Sequence, residues 1–154
     1  MTVRVQSEDF DFGAEIVQLR AGNPTIGAVV SFLGTVRDMN DGASVTAMEL
    51  EHYPGMTERS LQQIVAQANE RWNVIDALVV HRVGPLKPTE QIVLVAVASA
   101  HRGEAFAACE FIIDYLKTQA PFWKKEQTAA GARWVDARVS DDQAMNKWTK
   151  ENEK

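Results

Sequence analysis

Six residues of this acidic chain are basic or can become so and stand where strand ends and helix ends are expected to meet: Arg37, the His101-Arg102 pair, Lys117, and Lys124-Lys125 just past Pro121. Cations gathered in a protein of net charge -5 point to an anionic ligand such as a phosphate or carboxylate. Arginine would grip it as a two-pronged fork and lysine as a point charge. His101-Arg102 directly precedes a helix expected to start near Gly103, where unpaired backbone N–H groups add to the attraction for anions. Lys117, at 100° per residue, falls beside Phe106 and Ile113 on the edge of an apolar stripe. Partial burial there, with cations nearby, would lower its pKa and free some neutral amine to act as base or nucleophile.

Plainer roles exist for each of these groups. A lysine in a last helical turn complements the helix dipole, and Asp114 stands three residues before Lys117 as an ion-pair partner. His101 fits a capping role. Phe122 and Trp123 have the flat faces to stack on a heterocycle, although aromatics more often fill core. Cys109 sits on the apolar side of its helix and reads as a small core hydrophobe. His52 and His81, on expected strands, show no ligand spacing with carboxylates, so no metal is assigned. Gly-rich phosphate loops, a Gly-x-Ser-x-Gly elbow and a His-Glu-x-x-His helix are all missing. The residues by themselves lead to an anion-binding α/β enzyme or binding module.

The elements that must position these groups follow from patterning. With 154 residues, 45% hydrophobic and 24% charged, the chain fits one domain, placed over residues 1–140, with a helix or tail over 141–154. The negative charge argues against general nucleic-acid binding, and no adjacent strands carry the paired exposed aromatics of an RNA-binding sheet. The longest apolar run, residues 92–98, is too short for a membrane span and no leader opens the chain, so a cytoplasmic protein is expected. A single cysteine excludes an internal disulfide or a two-cysteine redox pair. Alternation and helical spacing predict strands over 3–6, 27–36, 45–53, 75–82, 91–100 and 132–139, and helices over 11–21, 56–72 and 104–118. The polar turn at 38–43 is expected to join 27–36 and 45–53 into a hairpin. From residue 45 onward the order matches the split βαβ, ferredoxin-like pattern, an α+β fold. An additional N-terminal strand, helix and hairpin would extend it in an α/β hammerhead-like way.

Three blocks carry a family resemblance: Leu50-Glu51-His52-Tyr53-Pro54-Gly55-Met56-Thr57; Ser99-Ala100-His101-Arg102; and Asp114-Tyr115-Leu116-Lys117-Thr118-Gln119-Ala120-Pro121-Phe122-Trp123-Lys124-Lys125-Glu126. In order and spacing the chain resembles the catalytic, large subunits of molybdopterin synthases across residues 27–134, through Arg133-Trp134-Val135. The resemblance implies a sulfurtransferase of molybdenum cofactor biosynthesis without a cofactor of its own. Its substrate would be cyclic pyranopterin monophosphate, which gains two sulfurs to become the dithiolene of molybdopterin. The sulfur would come from a small ubiquitin-like partner whose C-terminal Gly-Gly, as a thiocarboxylate, enters the pocket. Two large subunits would dimerise within a heterotetramer. By position, Lys117 and Lys124 match the family's essential lysines, while Thr35-Val36-Arg37, His101 and Arg102 match its pterin-phosphate contacts, with Lys125 and Glu126 completing the last block. Some relatives carry lysine where this chain has Thr35. The alternative is a non-catalytic ferredoxin-like module that binds a small anion or a partner protein, since such folds host many functions.

Overall fold

The computed structural model describes residues 1–40, 42–135, 143–146 and 148. In chain order it contains β1 (Thr2–Gln6), α1 (Phe12–Arg20), β2 (Ala28–Thr35), β3 (Met39–Asn40), β4 (Ala43–His52), α2 (Met56–Arg71), β5 (Val74–Arg82), β6 (Gly84–Leu86), β7 (Gln91–Ser99), α3 (Arg102–Gln119), β8 (Phe122–Thr128) and β9 (Gly131–Val135). Residues 143–146 are helical.

Near-continuous apolar sequence marks β5 and β7 as strands covered on both faces. They form the centre of a four-stranded sheet ordered β1-β5-β7-β2, in which β1 runs parallel to β5 and the other pairs are antiparallel. Side chains alternate across a strand. Ala77, Val79, Val93, Val95 and Val97 therefore pack under α2 and α3, while Leu78, Val80, Leu94 and Ala96 meet Phe10 and the half-buried Phe12, Ile16 and Leu19 of α1. The result is three layers. Phe111 of α3, fully buried, packs edge-on against Trp72 and Trp148 and carries Arg71 over its ring. Such burial contributes about 2–3 kcal/mol.

A second sheet, ordered β3-β4-β8-β9 with β6 on the free side of β4, stands beside the first. Val36, Met48, Leu50 and Leu86, with Ile92, form the apolar patch joining the two. Thr57, fully buried at the start of α2, accepts from the Tyr53 N–H and donates to the Pro121 carbonyl at 3.4 Å. It thereby ties the entry of β8 to α2.

The α+β class stands, with two corrections. A hairpin does form around residue 42, but its first arm is the two-residue β3, not the long strand before it. β2 instead pairs with β7 across residues 28–35, where its apolar side chains reach a core that the turn's neighbour could not offer. In addition, β8 occupies a segment read only as a basic stretch. Its inward positions hold Phe122, Lys124, Glu126 and Thr128, so polar residues occupy the face whose apolar period would have revealed it. The strand expected over 132–139 is β9, and residues 136–139 lie outside the described ones. Of the helix or tail expected over 141–154, only 143–146 and 148 are described, and Trp148 is buried.

Candidate active site

A cavity of about 470 Å³ opens between the end of α3 and the second sheet, within the size range of small-molecule sites. Three elements bring cations into it. β2 ends at Thr35 and delivers Val36 and Arg37; the last turn of α3 delivers Lys117; β8, antiparallel to β4, delivers Lys124 with Glu126 two residues on and on the same face. Val36 is buried and fixed by two backbone bonds, its N–H to the Glu90 carbonyl at 3.0 Å and its carbonyl from the Thr89 N–H at 2.8 Å. Arg37 is thus held at the rim by a rigid neighbour.

The floor is polar and ordered. Glu126 is 3% exposed and its carboxylate accepts from the Asn40 side-chain amide, while Arg133 of β9 donates to the Asn40 carbonyl at 2.8 Å. Asn40 is itself buried, and among the described residues its Oδ1 and the Arg133 Nε find no hydrogen-bond partner. His81 also borders the cavity, buried, with its ring stacked on Phe122 at 3.7 Å between centroids. Burial pushes its pKa down to about 4, the Arg82 carbonyl opposes that, and the charges of Lys117 and His52 add to the lowering. At neutral pH the ring is uncharged.

Five expected site residues other than Lys117 line this cavity: Thr35, Val36, Arg37, Lys124 and Glu126. Lys117 lines it too, yet the half-buried setting expected from the helical arc is not what forms. Phe106 is 60% exposed, Lys117 is exposed, and the buried stripe of α3 runs through Ala105, Ala108, Cys109, Phe111, Ile112, Tyr115 and Leu116. Asp114 accepts the Trp148 indole N–H at 2.7 Å. Lys125 points to the opposite face of β8, with its ammonium 5.6 Å from the Trp134 ring centroid.

His101 and Arg102 are not brought to the cavity within one chain. His101 is the N-cap of α3, without a side-chain cap bond, and Arg102 opens the helix. Lys117 lies fifteen residues further on, so a rise of about 1.5 Å per residue separates the two ends by about 22 Å. Sequence reasoning missed Asn40, which sat in an apparent turn, and His81, an ionisable residue ending an apolar run, which was the available signal.

Cys109 lies away from this site and is buried against β7, its thiol 3.7 Å from the Val95 carbonyl and pushed up to about 12 by burial. A thiol so protonated is inert. Iodoacetamide should therefore label no cysteine in the folded chain and one after denaturation. Labelling of the native protein at a comparable rate would contradict the burial. Among the described residues no cluster of three His, Cys, Asp or Glu side chains is placed to hold a metal, and no helix is long and apolar enough to cross a membrane.

Residues 5–119 match the family model described as MoaE protein. The chain is 72% identical over 147 residues to the molybdopterin synthase catalytic subunit of Ralstonia nicotianae, covering 96% of this chain and 84% of that one. Its fold is similar to the solved molybdopterin biosynthesis MoaE protein of Burkholderia ambifaria, with a TM-score of 0.83, 59% identity, and coverage of 96% and 97% of the two chains. A more distant likeness, 18% identical with a TM-score of 0.72 over 88% of this chain and 91% of that one, is to a chain in the complex of subunits 1 and 2 of molybdopterin-converting factor from Helicobacter pylori. That last one shows the fold alone.

Proposed function

Since the chain belongs to the MoaE family, whose curated relatives are molybdopterin synthase catalytic subunits, we propose that its cavity transfers sulfur to cyclic pyranopterin monophosphate. The observation that carries this reading is the meeting of Arg37, Lys117 and Lys124 in one cavity of an acidic chain. Two of the three are the lysines singled out by the resemblance. Arg37 suits the phosphate, and a planar pterin fits a space of about 470 Å³.

The sulfur donor is a small ubiquitin-like subunit ending in Gly-Gly-thiocarboxylate. In each of two transfers the thiocarboxylate sulfur bonds to a side-chain carbon of the substrate as a C–O bond of that carbon breaks, its oxygen leaving as water or on the opened cyclic phosphate; water then cleaves the carrier's acyl C–S bond, and the carrier leaves as a carboxylate. Lys117 and Lys124 stabilise the negative charge that develops on oxygen and sulfur and pass the protons involved. Cys109 is buried away from the cavity, so sulfur arrives on the partner. Such an enzyme works in the cytoplasm, where the reduced donor persists.

His101 and Arg102 enter this reading through a second copy. With about 22 Å of helix between them and Lys117, they complete a phosphate site only across a homodimer, which with two small subunits makes a heterotetramer. The direct test mixes the purified chain with thiocarboxylated partner and cyclic pyranopterin monophosphate and follows dithiolene formation. Stoichiometric product, two sulfurs per pterin, is expected. Tight binding of both components with no product would leave a non-catalytic binding module.

A further inference from the structure

One ring in the cavity has no part in the scheme above. His81 is the penultimate residue of β5 and 5% exposed. Its Nδ1 lies 2.8 Å from the Arg82 carbonyl oxygen. A carbonyl only accepts, so Nδ1 carries the proton and the lone pair resides on Nε2. The ring is clamped in that orientation by Phe122, whose plane is tilted only 16° from it. Phe122 and Lys124 are alternate residues of β8 on the cavity face, so the clamp also ties β5 to the strand that carries one of the two lysines.

Burial first, and the charges of Lys117 and His52 after it, keep the ring uncharged. His52 comes from β4, Lys117 from α3, Lys124 and Glu126 from β8, and Arg37 follows β2, a mostly cationic set. A cationic imidazole would repel the lysines, whereas a neutral one with a lone pair offers them an acceptor.

Resting on the sulfur-transfer reading of this cavity, we propose that His81 is a positioning residue for Lys117: its Nε2 accepts a hydrogen bond from the Lys117 ammonium when substrate fills the cavity, aiming that ammonium at the reacting sulfur. The tautomer makes the role directional. Nδ1 serves the backbone and Nε2 serves the lysine, so the two functions of one ring separate by substitution.

His81→Asn keeps an amide N–H near Nδ1 for the Arg82 carbonyl and leaves nothing at Nε2. His81→Gln places an amide oxygen near Nε2. With the wild-type complex as reference, His81→Asn is expected to lose at least about tenfold in kcat with KM for the pterin changed less than about twofold, and His81→Gln to return to within about threefold of wild type. A purely structural ring would show the reverse order, because His81→Asn preserves the backbone bond. The second arm needs no turnover. In 15N spectra of the wild-type chain at neutral pH with cyclic pyranopterin monophosphate bound and no sulfur donor present, His81 Nε2 should resonate as an unprotonated nitrogen, and Lys117→Met should shift it. A protonated Nε2, or His81→Asn turning over like wild type, overturns the inference. A wild-type complex that makes no dithiolene overturns the sulfur-transfer reading instead, and the 15N result then decides whether His81 and Lys117 interact.

Discussion

Replacing Lys117 with alanine will lower dithiolene formation by at least about a hundredfold, the usual range for removing a proton donor or a charge-stabilising group, while the protein stays folded. The two halves of that expectation have separate grounds. Lys117 is exposed, in the last turn of α3, and the core stripe of that helix passes through Tyr115 and Leu116 beside it. Truncation opens no void, and loss of the favourable contact with the helix C-terminus costs at most about 1 kcal/mol. The loss therefore belongs to the cavity, where Lys117, Lys124 and Arg37 supply the positive charge. Lys125→Ala is the control. Its ammonium lies over Trp134 on the far face of β8, and turnover should stay within about threefold of wild type, as for other exposed cation–aromatic contacts. Full activity in Lys117→Ala would take that lysine out of the reaction, and equal losses from Lys117→Ala and Lys125→Ala would show that the face of β8 does not decide which charges serve the cavity.

What could be read from sequence followed from how strongly each segment's burial constrains its pattern. β5 and β7 are covered almost continuously and α3 along one face, so long apolar runs and a helical stripe announced them within a residue or two. Pairing was less legible than existence. β2 alternates as any edge strand does, and nothing local says that its partner is β7, sixty residues on, instead of the strand after the next turn. β8 was hidden for a chemical reason: a strand that lines a charged cavity turns Lys124 and Glu126 inward, inverting the code by which strands are recognised. The same inversion affected the site. Cations stand out in an acidic chain, so Arg37, Lys117 and Lys124 were visible, although only family resemblance made the lysines catalytic. A helical arc gives direction around an axis but not depth, and Lys117 is exposed beside the cavity although Tyr115 and Leu116 next to it are buried. His81 gave only a weak signal, since a histidine at the end of an apolar run looks like core until its tautomer and its neighbours are known.

The second large effect is a rescue. Arg102→Ala and Lys117→Ala are each expected to be nearly inactive, yet a mixture allowed to exchange subunits should recover about a quarter of wild-type turnover, by the statistics of a twofold dimer. Random pairing makes half of the dimers mixed. In a mixed dimer one site receives both alanines, while the other joins Lys117 of one chain to Arg102 of its partner and is intact. One α3 cannot deliver both groups to the same cavity, because Arg102 opens the helix and Lys117 stands in its last turn, about 22 Å apart along the axis. In the homodimer proposed above, crossing between copies is how the phosphate would meet both. The comparison with Lys124→Ala sharpens the test, since Lys117 and Lys124 share one cavity, and mixing those two variants should restore nothing. Recovery in that control pair would mean that Lys117 and Lys124 serve different sites. A mixture of Arg102→Ala and Lys117→Ala no more active than its parents, or an Arg102→Ala chain active alone, would take the second copy out of the site and leave Arg37 and the two lysines to hold the phosphate within one chain.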